Sequence, residues 1–258
     1  MKHILIILAV LLFSINAEAS VKTKIVEYKQ GDTILEGYMA WDDAKSAKRP
    51  GILIVHEWTG INDHMKQRAE MLAKLGYVAF AADIYGKGIR PSAQPEAAKT
   101  AGVYKNDRPL MRARVRAGLE ELKKQKLADP QHIAAIGYCF GGTTVLELAR
   151  DAADVKGVVS FHGGLSTPTP LDAKNITAKV LVLHGADDPF VKADEVAAFQ
   201  DEMRNGGVDW QFVSYSNAVH SFTNKAAGTD NSKGAAYNEK ADRRSWEVMK
   251  AFFAEIFK

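Results

Sequence analysis

Ile133-Ala-Ala-Ile-Gly-Tyr-Cys-Phe-Gly-Gly142 decides the reading of this 258-residue chain. The stretch opens as an apolar strand, passes through Gly-x-Cys-x-Gly and leads into a segment of helical character. In its serine version this pattern is a strained strand-to-helix turn that lifts a nucleophile above the carboxyl edge of a sheet. The glycines have a steric reason. A turn that tight brings backbone against backbone, so Gly137 and Gly141 are expected where a Cβ would collide. Cys139 then sits at a helix N-terminus, whose partial positive charge favours a thiolate. The backbone N–H of Phe140 faces the place where an oxyanion would develop.

Working outward, strand and helix patterns alternate for most of the chain. Residues 22–28 and 33–41 flank Gln30-Gly31-Asp32 and read as an opening hairpin. Residues 51–56 (GILIVH) form a short continuous apolar run, as in a strand buried on both faces. A helix follows, capped by Asn62 or Asp63, with Met65, Ala69 and Leu72 on one face; Gly76 ends it. Residues 77–82 are another buried strand, and residues 83–109 read as the longest irregular segment. Then come a helix over 110–125, a strand over 133–137, a helix from Cys139 to about Ala152, and strands over 155–161 and 180–184. A helix over 193–205, a strand over 210–215 and a closing helix over 238–257 complete the pattern. That last helix carries Trp246, Met249, Phe253 and Ile256 at helical spacing. Alternation of this kind predicts an α/β fold with a mostly parallel central sheet, helices on both faces and an N-terminal β-hairpin.

Composition agrees with one folded domain over residues 20–258. The chain is 47% hydrophobic and 25% charged, and its formal net charge of +3 gives no reason to invoke nucleic acid. Residues 1–19 read as a signal peptide: Lys2, an apolar run over 4–13, and Ala17-Glu18-Ala19 as the cleavage site. Export to a periplasmic or secreted location is the expectation, with no membrane anchor after cleavage, because ten apolar residues are too few to span a bilayer. Cys139 is the only cysteine. No internal disulfide can form, so it is a buried bystander or a reactive thiol.

The order nucleophile, acid, histidine gives Cys139 its partners and points to an α/β-hydrolase. The strand over 180–184 ends in Gly185-Ala-Asp-Asp-Pro-Phe-Val191. Asp187 and Asp188 compete as the acid; Gly-x-x-Asp-x-x-Val spacing favours Asp188, leaving Asp187 a turn residue. His220 is the histidine that follows the strand over 210–215. It would take the thiol proton and later protonate a leaving group. His64 and His132 read as surface or helix-edge residues. His56, His162 and His184 fall at strand ends near the expected site. Their spacings suggest no metal site, and no cofactor is expected.

With these residues assembled, the chain resembles the dienelactone hydrolase family over nearly its whole length after residue 19. Gly137-Tyr-Cys-Phe-Gly-Gly142, His56-Glu-Trp-Thr-Gly60, Ala82-Asp-Ile-Tyr85, Asp188-Pro-Phe-Val191 and His220-Ser-Phe222 carry the likeness. The resemblance implies a Cys139–Asp188–His220 triad, a supporting Glu57 that assists thiolate formation, and a second oxyanion N–H from Trp58. The family's substrate carboxylate grip of two arginines and a serine maps to Lys87, Asn224 and Ser221. Lysine and asparagine cannot reproduce a bidentate guanidinium. Lys87 and Ser221, with Arg90 nearby, and separately the strand-end His162, are the candidate substrate contacts. The expected function is cleavage of a small ester or lactone, by a monomer or small homo-oligomer. The rivals are a thioesterase, an exported non-catalytic binding protein on a hydrolase scaffold, and a thiol sensor.

Overall fold

A computed structural model describes residues 20–44 and 46–258, so the expected signal segment lies outside the described residues. Strands β1 (Val21–Gln30) and β2 (Thr33–Asp42) form the antiparallel hairpin, turning at Gly31. β2 joins the sheet through an antiparallel pairing with β4 (Val78–Ala82). From there β4, β3 (Arg49–Val55), β5 (Ala128–Tyr138), β6 (Gly157–Phe161), β7 (Lys179–Gly185) and β8 (Trp210–Tyr215) run parallel in that spatial order.

The apolar strands work because both sheet faces are covered. Along β3, Leu53 and Val55 enter one core and Ile52 and Ile54 the other, as the two-residue period of a strand requires. Against the first core pack α3 (Arg108–Lys123), α4 (Phe140–Arg150) and α5 (Ala193–Gly206). Against the second pack α1 (Asp63–Lys74) and α6 (Glu239–Ile256). Asn62 caps α1, accepting from the Met65 amide at 3.1 Å, and Asn238 caps α6 in the same way. In α6, Met249, Phe252 and Phe253 are buried, whereas Trp246 and Ile256, expected inside, are only half-buried.

The segment over 83–109 is not irregular throughout. It contains α2 (Gln94–Asn106), with Pro95 in its first turn. Ala97, Ala101 and Tyr104, at helical spacing, are its buried residues. That stripe is too small and too weakly apolar to announce itself beside the Gly and Pro that precede it. The Tyr104 hydroxyl donates to the Tyr85 carbonyl at 2.9 Å and ties α2 to the loop after β4. Pro109, read as part of the same loop, lies in the first turn of α3, capped by Asp107. No described helix is long and apolar enough to cross a membrane.

Candidate active site

All the motif residues converge at the carboxyl ends of the parallel strands, the edge where α/β sheets bind their ligands. Cys139 joins β5 to α4 at φ +54° and ψ −115°, a conformation that L-residues adopt only when the surroundings enforce it. The enforcement is visible. A Cβ on Gly137 would lie 1.9 Å from the Gly141 carbonyl oxygen, so only glycine lets the strand pass the incoming helix. The Cys139 N–H donates to the Phe161 carbonyl at 3.0 Å and to His162 Nδ1 at 3.2 Å.

Three groups form a relay. His220 Nε2 is 2.9 Å from Cys139 Sγ, and His220 Nδ1 is 2.8 Å from Asp188 Oδ2. The loop bearing His220 is held on both sides: its N–H donates to Gly234 O and its carbonyl accepts from Ala236 N. Asp188 is buried and its other oxygen accepts from the Phe190 amide at 2.9 Å, whereas Asp187 is exposed, with its own N–H donating to Ala218 O. Of the two aspartates, Asp188 is the one within hydrogen-bond distance of His220. Burial pulls the His220 imidazole down, but the Cys139 sulfur and the Asp188 carboxylate outweigh it and hold its pKa up to about 10. A protonated His220 beside the Cys139 sulfur and the Asp188 carboxylate is the form this arrangement favours.

The other histidines divide differently from the sequence reading. His162 lies beneath the elbow rather than facing a substrate. Its Nδ1 accepts from Cys139, so Nε2 carries the proton toward Thr223 Oγ1 at 2.8 Å, and burial keeps the ring neutral. His56 is likewise a buried neutral prop: Nε2 accepts from Ile84 N, Nδ1 donates to the Glu57 carbonyl, and burial pushes its pKa down to about 4. His64, expected at the surface, is nearly buried and meets Glu57 Oε2 at 3.3 Å.

Glu57 is itself buried, and Asn224 Nδ2 donates to the same oxygen at 2.7 Å. The Trp58 carbonyl accepts the Tyr85 hydroxyl at 3.0 Å, which fixes the backbone from which the Trp58 N–H projects. Phe140 contributes the first amide of α4, a position with no carbonyl four residues back in its own helix. Lys87 is turned to the hairpin instead: its exposed ammonium pairs with Glu27. Arg90 bonds Glu36 O and Ile89 O and faces Asp83. Ser221, at φ +56°, continues directly from His220.

The profile of the dienelactone hydrolase family matches residues 35–257. The chain belongs to that family. Membership makes it a carboxylic ester hydrolase of the dienelactone and lactone type. A dienelactone hydrolase-like promiscuous phosphotriesterase from metagenomic libraries superposes with a TM-score of 0.87 at 42% identity, over 93% of this chain and 99% of that one. A protein of Aquifex aeolicus named, provisionally, as a carboxymethylenebutenolidase is 27% identical over 91% of this chain and 99% of its own length. A dienelactone hydrolase structure from Klebsiella pneumoniae shares the fold at a TM-score of 0.78 and 22% identity.

Proposed function

We propose that this chain is an exported cysteine hydrolase of small esters and lactones, with Cys139 as nucleophile, His220 as acid and base, and Asp188 as the group that orients His220. The observation that carries the reading is the unbroken Sγ···Nε2, Nδ1···Oδ2 relay, 2.9 and 2.8 Å, at a strained elbow. The Cys139 thiolate attacks the carbonyl carbon, and the Phe140 and Trp58 amides bind the oxyanion. His220 gives its proton to the departing alkoxide, leaving a thioester. It then takes a proton from water, which releases the acid and regenerates the thiol. Amides leave poorly from a thiolate adduct, so esters, lactones and thioesters are the preferred class. Lys87 on Glu27 and Asn224 on Glu57 supply no guanidinium for a substrate carboxylate, which favours uncharged esters over anionic dienelactones. The segment over 1–19 is the basis for export.

Intact-mass measurement of residues 20–258 mixed with p-nitrophenyl acetate tests this. One acetyl group per chain, absent in Cys139→Ala, is the expected result. Turnover retained by Cys139→Ala would reject the nucleophile, and neither turnover nor adduct would support the non-catalytic binding protein. The 42% identical relative also motivates a side activity on phosphate triesters.

The raised pKa of His220 sets an alkaline limit. The imidazolium is present below about pH 10 and loses its proton as pH rises through that value. For an alkyl ester, whose alkoxide needs the proton, kcat/KM should fall about tenfold per pH unit above 10. A profile for such a substrate that stays flat to pH 11 would refute His220 as the acid.

A further inference from the structure

The contacts of Glu57 continue outward into a chain of buried groups that the triad does not use. His64 and Arg68 lie four residues apart on α1, on the face toward the site. Arg68 Nε donates to His64 Nε2 at 3.2 Å. The same guanidinium donates to the Thr223 carbonyl at 2.9 Å and to Asp242 of α6 at 2.5 Å. It lies between two aromatic rings, 5.7 Å from the Tyr138 centroid and 5.3 Å from that of Trp246.

A guanidinium has only protons to give. His64 Nε2 must therefore accept, and the ring's one proton must sit on Nδ1, which faces Glu57 Oε2. Arg68 in this way sets the tautomer of His64 and makes it a neutral donor. Asn224 gives Glu57 its second neutral donor, on the same oxygen. Neither bond uses Oε1, so the carboxylate is anchored through a single oxygen by two neutral donors.

We propose that His64, with its tautomer fixed by Arg68, is a positioning residue for Glu57 in the hydrolytic reaction. The inference rests on the proposed cysteine mechanism together with the supporting role for Glu57 that the family resemblance implies. His64 touches no reacting atom; it acts by aiming the carboxylate. Loss of one hydrogen bond to a charged group corresponds to about a tenfold effect or more.

The test is a double-mutant cycle on residues 20–258, with an alkyl ester as substrate. His64→Phe keeps the ring that lies edge-on to Tyr138 and removes the donor. His64→Asn restores an N–H near the Nδ1 position. The expected results are a fall in kcat of about tenfold for His64→Phe with KM within about threefold, and recovery to within about threefold for His64→Asn. In a Glu57→Gln background, His64→Phe should change kcat by less than about twofold. A purely structural role would give the same loss in both backgrounds, and that outcome overturns the proposal, as does unchanged kcat in His64→Phe. A stability loss from the phenylalanine would likewise appear in both backgrounds, so the comparison survives it. Cys139→Ala run alongside separates the two failures. If it retains turnover, the cysteine mechanism itself is wrong; if it is inactive while His64→Phe is unimpaired, only the positioning role falls.

Discussion

Replacing Cys139 by alanine should lower kcat/KM for a small ester by about 10⁴-fold or more, to the level of the empty scaffold. The size follows from what is removed. His220 Nε2, 2.9 Å from the sulfur, loses the atom it activates, and Asp188 is left orienting a histidine with no nucleophile. The oxyanion donors alone then act on water. The fold should not change, because the Cys139 backbone is fixed by the Phe161 carbonyl, by His162 and by glycine packing, none of which uses Sγ. Thermal unfolding should therefore be unchanged within a few degrees while turnover disappears. Asp188→Asn should cost less than Cys139→Ala, since the nucleophile survives it, yet more than any change at Lys87, which is paired with Glu27 on the hairpin. A Cys139→Ala protein that still turns over ester at a tenth of the parent rate would exclude the thiol from catalysis.

The motif that suggests the proposed triad is legible in the sequence for a physical reason. A nucleophile on a strained turn demands glycines on both sides, so its motif is local and rigid in spacing. The acid and the histidine each follow a short apolar run, and strands that alternate with helices bring their ends to one edge. Spacing favours Asp188 over Asp187, and in the fold Asp188 is buried where Asp187 is exposed. What was missed lacked such local grammar. α2 buries two alanines and a tyrosine, too little apolar surface to show a period. His64 reads as a polar residue at a helix start; only packing of α1 against the Glu57 loop turns it inward. Its i, i+4 partner Arg68 was the available signal, but Asp242, which helps hold that arginine, is 174 positions away. His162 ends a strand beside the site, a position that suggests a substrate contact. Instead its φ of +41° accompanies a ring placed under the Cys139 amide.

The second large effect belongs to a residue with no side chain. Gly141→Ala should destabilise the protein by at least about 3 kcal/mol, or abolish folding. A Cβ built on Gly141 lies 2.2 Å from the Val55 carbonyl oxygen and 2.7 Å from that of His56. Both obstacles are backbone, at the end of β3 where it leads to Glu57 and Trp58, so neither can rotate aside. Relief requires α4 to move off the sheet, and that movement would also displace the Phe140 amide and the sulfur from His220. Stability and activity should therefore fall together, unlike the Cys139→Ala case, where only activity falls. Gly102→Ala, within α2 and with nothing inside 4 Å of its added Cβ, is the matched control. There alanine should be neutral or stabilising by up to about 1 kcal/mol, since it favours helix without meeting a neighbour. Thermal unfolding of the pair reads the difference: a drop of about 6 °C or more for Gly141→Ala beside no drop for Gly102→Ala. Equal melting temperatures would mean that the close approach of α4 to β3 does not exist as described, and the geometry assigned to the elbow would fall with it.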